Sequence, residues 1–516
     1  MMKCFVPAWY SEEKWWISEE KAPFYEKAVT EFDDSISLMG MHVQNKQPFK
    51  MLILSYSPSL RLFLHRHDLY EATYWSLFDY IQGFQHQTPK PIDYRELDWP
   101  VGTEFMYTFY YIRAITSAHT YTNLYFNQEG YLMWMVSFVN NVKQRCYYFD
   151  DRGFLSSLII YDEKGDANKH YYMTFDGDWV MKEDVTTGEV MIHPKYQHRF
   201  ESPIYRHMTE VIRERLADYF KMDASSLDRM IVASDHRHNE MIAAHVDSSR
   251  LCFSVFEQRM SALDEAYASS MDKGQYWLVD TLKNQHLLTQ YRQKCALDND
   301  VLRITPFDVQ MIQNHSGQRH EIQIGIWVDG IERATLDKMM TQFEHERFKS
   351  LELRFVLMSR MASPHIDWVE DAAKDYLERW TKNDPNHVSL DRPPSKEEST
   401  AVLVKRMPFE SQLIELMSRL RLVIDMGAEP NLFLQICAIG AGVPQINCCE
   451  TDYVKHGKNG YVIQNIHDMC QGIDYFLNRL KNWNQSFAYS MKLAKHYASD
   501  QIIKQLDAWL VRETDE

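Results

Sequence analysis

The chain has 516 residues, room for about three domains of ~150 residues each and for large buried cores. A composition of 45% hydrophobic and 25% charged residues excludes wholesale disorder. Asp and Glu outnumber Lys and Arg by 72 to 56, and the resulting net charge of −16 argues against nucleic acid or an anionic membrane as a primary partner.

In chain order, Lys3 to Trp9 reads as a short apolar strand cut by Pro7, and Glu12, Glu13 and Lys14 follow at once. A secretory signal does not look like that. Phe49 to Ser55 reads as a second strand, Ser59 to His65 as a third, and residues 69–82 carry apolar residues at helical spacing. The texture changes over 103–195. Turn residues recur there at Gly130, Asn140-Asn141, Gly153, Gly165, Gly177 and Gly188, a step of 11 or 12. Between them lie aromatic and β-branched runs such as Tyr131 to Phe138 and Phe154 to Tyr161, which predict an antiparallel meander.

From about residue 203 the α/β rhythm returns. Arg229 to Ser234 is a continuous apolar run, as in a strand buried on both faces. A helix from about Asn239 follows, then strands at Leu251 to Phe256 and Tyr276 to Asp280. A further domain opens with Ile322 to Val328 and continues through Leu353 to Leu357, Ala401 to Val404 and Leu422 to Asp425. Phe409, Leu413, Leu416 and Leu420 share one helical face between the last two strands. Residues 381–400, charged and with two prolines, read as a surface loop or small insertion.

The expected organisation is therefore α/β. An N-terminal Rossmann-like domain spans 1–100 and 200–312, with a β-meander domain inserted at 101–199. A second Rossmann-like domain spans 313–516. No apolar run approaches the ~18 residues of a membrane-spanning helix. Of the eight cysteines, Cys146, Cys252 and Cys437 sit in apolar runs, and Cys448-Cys449 has no companion pair for zinc. A reduced, cytoplasmic chain without a disulfide framework is expected.

Signatures of nucleotide hydrolases and serine hydrolases are missing: there is no Walker loop, no Gly-x-Ser-x-Gly elbow and no Gly-x-Gly-x-x-Gly. Ser234-Asp235-His236 holds triad residue types, but adjacent residues cannot build that geometry alone, and a polar strand–helix turn is the simpler reading. Its position past a buried strand is still where open α/β sheets place ligand-contacting loops, so Asp235 and His236 stay candidates. His236 and His238 lack a third ligand at usable spacing, and no metal is expected. Asp176-Gly177-Asp178 and Asp298-Asn299-Asp300 read as turns.

The informative stretch is Asp425 to Ile463. A strand ends at Asp425, a helix rich in small residues runs to Gly442-Val443-Pro444, and two glycines, Gly457 and Gly460, bracket a turn into another strand. This segment resembles the C-terminal half of retaining glycosyltransferases of the GT-B class. In that pattern two glutamates eight positions apart precede a Gly-x-Pro stop and an x-Gly-x-Asn-Gly-Tyr turn. Glu429 falls on the first glutamate, Gly442 and Pro444 on the stop, and Gly457, Asn459, Gly460 and Tyr461 on the turn. The second glutamate, which in the family accepts hydrogen bonds from the donor ribose, falls on Cys437, and a buried thiol is a poor replacement. Asp329-Gly330 stands where Gly-Arg is expected, with Arg333 the distant substitute. Cys448-Cys449-Glu450-Thr451 replaces the loop of paired glycines. The resemblance thus implies a degenerate donor cleft at Glu429, Cys437, Gly442, Pro444, Asn459 and Gly460, with no catalytic residues and no cofactor.

Cys4-Phe5-Val6-Pro7-Ala8-Trp9-Tyr10 with Trp15-Trp16, Arg303 to Asp308, and Ile424 to Gln435 further resemble the first Asp-protein family of the accessory Sec system. This resemblance runs from end to end. It implies a GT-B-like fold with an inserted β-sheet domain. It also implies a complex with the second and third Asp proteins, serving the accessory Sec motor ATPase and channel in export of glycosylated serine-rich repeat adhesins. The function so implied is a non-catalytic cytoplasmic export factor, meeting the membrane only through partners. The alternative is an active retaining transferase adding GlcNAc or glucose to the adhesin. Trp9, Tyr10, Trp15 and Trp16 are candidate sugar or peptide contacts, and packing of the first strand is the plainer role for them.

Overall fold

The computed structural model describes residues 2–11, 14–18, 32–85, 87–127, 129–223, 229–259, 263–350, 352–361, 364–383 and 401–511. Glu12, Glu13 and residues 384–400 of the expected surface loop lie outside the described residues, while 381–383 close the helix Asp367–Asn383. The chain separates into two compact units, Met1–Val29 with His42–Arg303, and Thr30–Met41 with Ile304–Glu516. The division falls at Arg303/Ile304. Thr30–Met41, counted with the first domain on sequence alone, groups with the second unit.

The first unit holds a seven-stranded parallel sheet. Its order is Asp300–Arg303, Tyr276–Val279, Leu251–Val255, Arg229–Ala233, Lys3–Val6, Phe49–Ile53 and Thr73–Ser76. Arg229–Ala233 and Leu251–Val255 are buried at every residue, as strands covered on both faces must be. The direction of winding reverses between Lys3–Val6 and Arg229–Ala233, which pair in parallel.

Between Thr73–Ser76 and Arg229–Ala233 the chain builds a ten-stranded antiparallel sheet in which every strand lies beside its sequence neighbour, from Glu104–Tyr107 to Ile204–Tyr205. Every turn residue read from the sequence has the left-handed backbone the turn demands. Asn140 and Asn141, at φ 49° and 63°, form a two-residue loop between Leu132–Val139 and Val142–Asp150, the mirror-type turn that suits strand twist. One face of this sheet (Tyr172, Val180, Met181, Val190, Ile192) shares a core with Leu52, Leu54 and Phe78 of the parallel-sheet layer. Val211, Ile212 and Leu216 of the helix Met208–Asp223 complete it.

Two local expectations are corrected. Ser59 to His65 is not a strand but the first part of a helix, Leu60–Arg66. Leu60, Leu62 and Leu64 fit a period of two, but Leu60 and Leu64 also stand four apart, and both are buried on one helical face. Residues 69–82 divide into the strand Thr73–Ser76 and the helix Leu77–Gln82, whose start is capped by the Ser76 hydroxyl accepting from the Asp79 amide.

The second unit is a six-stranded parallel sheet in the order Val402–Arg406, Leu353–Ser359, Ile322–Trp327, Leu422–Asp425, Gln445–Asn447 and Gly460–Val462. Its winding reverses between Ile322–Trp327 and Leu422–Asp425. The helix Leu432–Ala441 is buried at all ten residues. Among the described residues no helix is long and apolar enough to cross a membrane.

The antiparallel sheet is joined to its host layer by buried charge. Arg61, on the Leu60–Arg66 helix, reaches Asp151 at 2.5 Å, Asp150 at 2.8 Å and Asp79 at 3.2 Å. Arg152 donates to Asp150 at 2.6 Å, Asp79 at 3.0 Å and the Phe84 carbonyl at 2.7 Å. Two guanidiniums serve three carboxylates, so one negative charge is in excess. Removing Arg152 would leave buried carboxylates uncompensated, and Arg152→Met is expected to cost about 3–5 kcal/mol, read as a lower urea midpoint. Burial raises the Asp151 carboxyl to about 6, with Asp150 adding to the rise and Arg61 opposing it. A folded value above the unfolded ~3.9 means the charged form costs stability above about pH 6, and the cost fades as pH falls toward ~4. Asp151→Asn is therefore expected to gain on wild type by about 2 kcal/mol between about pH 4 and about pH 8, measured by urea titration at both.

Candidate functional site

In doubly wound sheets ligands lie outside the carboxyl ends of the strands, where the winding reverses. At that edge of the second unit the strand Ile322–Trp327 leads to Asp329, and the strand Leu422–Asp425 ends on Asp425. Asp425 is 2% exposed. Its carboxylate accepts from the Gly427 amide at 2.9 Å and the Asn431 amide at 2.7 Å. Asp329 accepts from the Ser359 hydroxyl at 2.5 Å and the Arg360 amide at 2.8 Å. Burial raises both carboxyls. Asp425 is pushed up to about 6, and the nearby Asp329 charge adds to the rise against the two amides that oppose it.

A phosphate at this edge would need backbone amides and a positive field. Here the Gly427, Asn431 and Arg360 amides are committed to the chain's own carboxylates, Asp425 and Asp329. The start of the helix Leu432–Ala441 is closed in the same way, with the Asn431 side chain accepting from the Leu434 amide at 3.0 Å. Arg333 offers no substitute, because it is exposed and pairs with Asp375 at 3.1 Å. Arg360, one residue past the strand Leu353–Ser359, does stand at this edge, as does Arg406 at the end of the strand Val402–Arg406.

The residues that carry the glycosyltransferase resemblance divide by role. Gly442, at φ 66°, ends the helix, and a Cβ there would meet the Phe487 ring at 2.2 Å. Pro444 is buried, and its carbonyl accepts from the Val423 amide. Asn459, fully buried, accepts from the Lys455 amide at 3.0 Å and donates to the Tyr453 carbonyl at 2.7 Å, which builds its own turn. Gly460 stands where a Cβ would strike Val454 at 2.3 Å. Each of these serves the fold. Cys437 lies on the buried helix, and burial, with Glu410 nearby, holds its thiol well above the ordinary range. Glu429 is half-buried on the loop after Asp425. The thiols of Cys448 and Cys449 donate to the Gly427 and Ala428 carbonyls at 3.0 and 3.7 Å, drawing that loop inward.

At the corresponding edge of the first unit, Asp235 is gripped by Arg237, whose Nε and terminal nitrogen lie 2.8 and 2.5 Å away. Burial opposes its charge, yet Arg237 and His238 leave the carboxyl below its usual range. His236 is exposed, 3.9 Å from Asp235. His238 is fully buried between the Tyr10 hydroxyl at 2.6 Å and the Ala233 carbonyl at 2.9 Å, and burial lowers its pKa to about 4. Both ring nitrogens are thus engaged by a neutral imidazole. Among the described residues no group of three or more His, Cys, Asp or Glu is placed to hold a metal.

The aromatic candidates are packed. Trp9, Tyr10 and Trp15 are each under 10% exposed: Trp9 lies 4.6 Å from Phe63, and Tyr10 lies 5.0 Å from Trp15. Trp16 is half-buried, with the Lys14 ammonium 5.8 Å from its ring. The sequence reading missed Asp329 and Asp425 as a carboxylate pair, and Arg360 altogether. The place of Arg360 directly after a strand was the available signal.

Comparison with known proteins places this geometry. The pneumococcal O-GlcNAc transferase GtfA, solved with UDP and GlcNAc, superposes with a TM-score of 0.70 over 100% of this chain and 99% of that one, at 11% identity. That likeness fixes a GT-B-type fold. A chain of the Glycosylation Associate Protein (Gap123) complex from Streptococcus agalactiae is 30% identical, with a TM-score of 0.76 over 98% and 99% of the two chains. The accessory Sec system protein "Asp one" of Staphylococcus aureus is 39% identical over 516 residues, the full length of both. The family model for accessory Sec system protein "Asp one" matches residues 2–513, and the chain belongs to that family.

Proposed function

We propose that the chain is a non-catalytic export factor. It binds the glycosylated serine-rich repeat adhesin in the cytoplasm. With the second and third Asp proteins, it delivers the adhesin to the accessory Sec motor ATPase and channel, and any membrane contact runs through those partners. Membership of the family and likeness to a chain of the Gap123 complex support the assembly. One observation carries the non-catalytic part: Asp425 and Asp329 consume the backbone amides at the edge where a donor diphosphate would lie. A diphosphate would have to displace two buried carboxylates and then share their field. The thiol of Cys437 cannot replace a carboxylate toward a ribose.

The motif residues that remain are accounted for without a donor, since Gly442, Pro444, Asn459 and Gly460 shape helix end and turn. Among the first-unit candidates, His236 and Trp16 keep exposed surface with which to meet sugar or polypeptide, whereas Trp9, Tyr10 and Trp15 are committed to the core. Glu429 alone favours the transferase reading, being half-buried at the expected position.

Two measurements decide between these. Purified protein incubated with UDP-GlcNAc and adhesin is expected to release no UDP, while adhesin is retained on the protein together with the second and third Asp proteins. In a strain lacking the gene, Glu429→Ala is expected to restore adhesin export fully. Donor turnover that disappears in Glu429→Ala would instead establish the transferase.

A further inference from the structure

Phe32 is an unusual residue in the second unit. It is 1% exposed, yet its backbone is left-handed at φ 61°, a conformation that L side chains other than Asn and Asp seldom adopt. Strain of this kind persists where the surroundings over-determine a position. The surroundings here are specific. The Arg360 guanidinium carbon lies 3.8 Å from the centre of the Phe32 ring. The Phe433 ring meets it edge-on at 4.9 Å and an interplanar angle of 89°. The Phe32 amide donates to the Glu410 carboxylate at 2.9 Å. Phe307 backs Phe433 at 5.1 Å.

These partners share one location. Arg360 follows the strand Leu353–Ser359, Glu410 opens the helix after Val402–Arg406, and Phe433 opens the helix after Leu422–Asp425. All three stand at the carboxyl edge of the sheet, beside its winding reversal, where a doubly wound fold receives a nucleotide. A guanidinium over one face and an aromatic edge beside it would equally hold a planar heterocycle.

We infer that Phe32 is an intramolecular occupant of a nucleoside-binding pocket in the second unit, a plug supplied by the chain's own N-terminal segment that keeps a base out. The inference deepens the export-factor reading and rests on it only in taking the edge to hold no sugar-nucleotide donor. Asp329 and Asp425 exclude the diphosphate, and Phe32 excludes the base. The ligand class the opened pocket would take is therefore a nucleoside without phosphates.

Uridine is the probe, followed by saturation-transfer NMR and by thermal shift on the full chain. Phe32→Gly removes the ring and suits the left-handed backbone, and Phe32→Asn is the second variant because asparagine also tolerates that conformation. The wild type is expected to give a baseline signal. The opened variant should give roughly a tenfold larger one with a ligand-dependent rise in melting temperature, and Phe32→Gly combined with Arg360→Gln should lose it. A folded variant that takes no uridine, or a wild type that takes as much, overturns the plug. So does loss of native circular dichroism in both variants, which would make Phe32 an ordinary core residue. Donor turnover by the wild type would instead sink the export-factor reading, and the two failures are told apart by the ligand used.

Discussion

The first unit depends on how a ten-stranded antiparallel sheet is fastened to a parallel one. Apolar area alone would let the two layers slide, because hydrophobic contact has no direction. The Arg61 and Arg152 guanidiniums, forked and planar, fix the register instead, each bonding carboxylates from both layers. The helix Leu60–Arg66 carries Arg61 to that point, the strand Val142–Asp150 ends on Asp150, and the turn after it carries Asp151 and Arg152. An ion cluster of this depth gives orientation more than net stability, since its desolvation offsets most of its attraction.

The second unit uses the same chemistry for closure. Backbone amides at the end of a parallel strand are strong donors that need acceptors. That need is met here from within the chain. This chain answers it with Asp329, Asp425 and Asn431, all from its own sequence. Gly442, Asn459 and Gly460 hold the helix end and the following turn in shape.

Legibility in the sequence followed the range of the interactions. The meander could be read because each hairpin declares itself locally, through Gly130, Asn140-Asn141, Gly153, Gly165, Gly177 and Gly188. Strands buried on both faces, such as Arg229–Ala233, announced themselves as unbroken apolar runs. Ser59 to His65 misled because Leu60, Leu62 and Leu64 fit a period of two while Leu60 and Leu64 also fit a helical step of four, and burial of Leu60 and Leu64 decides between them. Of the expected site residues, Glu429, Cys437, Gly442 and Asn459 were picked out through motif spacing. Asp425 was seen only as a strand end, and Phe32 was invisible. Its partners, Arg360, Glu410 and Phe433, are more than three hundred positions away in the chain, a distance no local pattern spans.

The pairing of Lys3–Val6 with Arg229–Ala233 also sets an order of events during synthesis. The first strand leaves the ribosome with Phe49–Ile53 as its early neighbour, and its other edge stays open until the whole meander has been made. At about 5–20 residues per second that wait is tens of seconds, during which the meander, all local hairpins, can fold first. The nascent chain thus presents a finished antiparallel sheet beside a half-built parallel one.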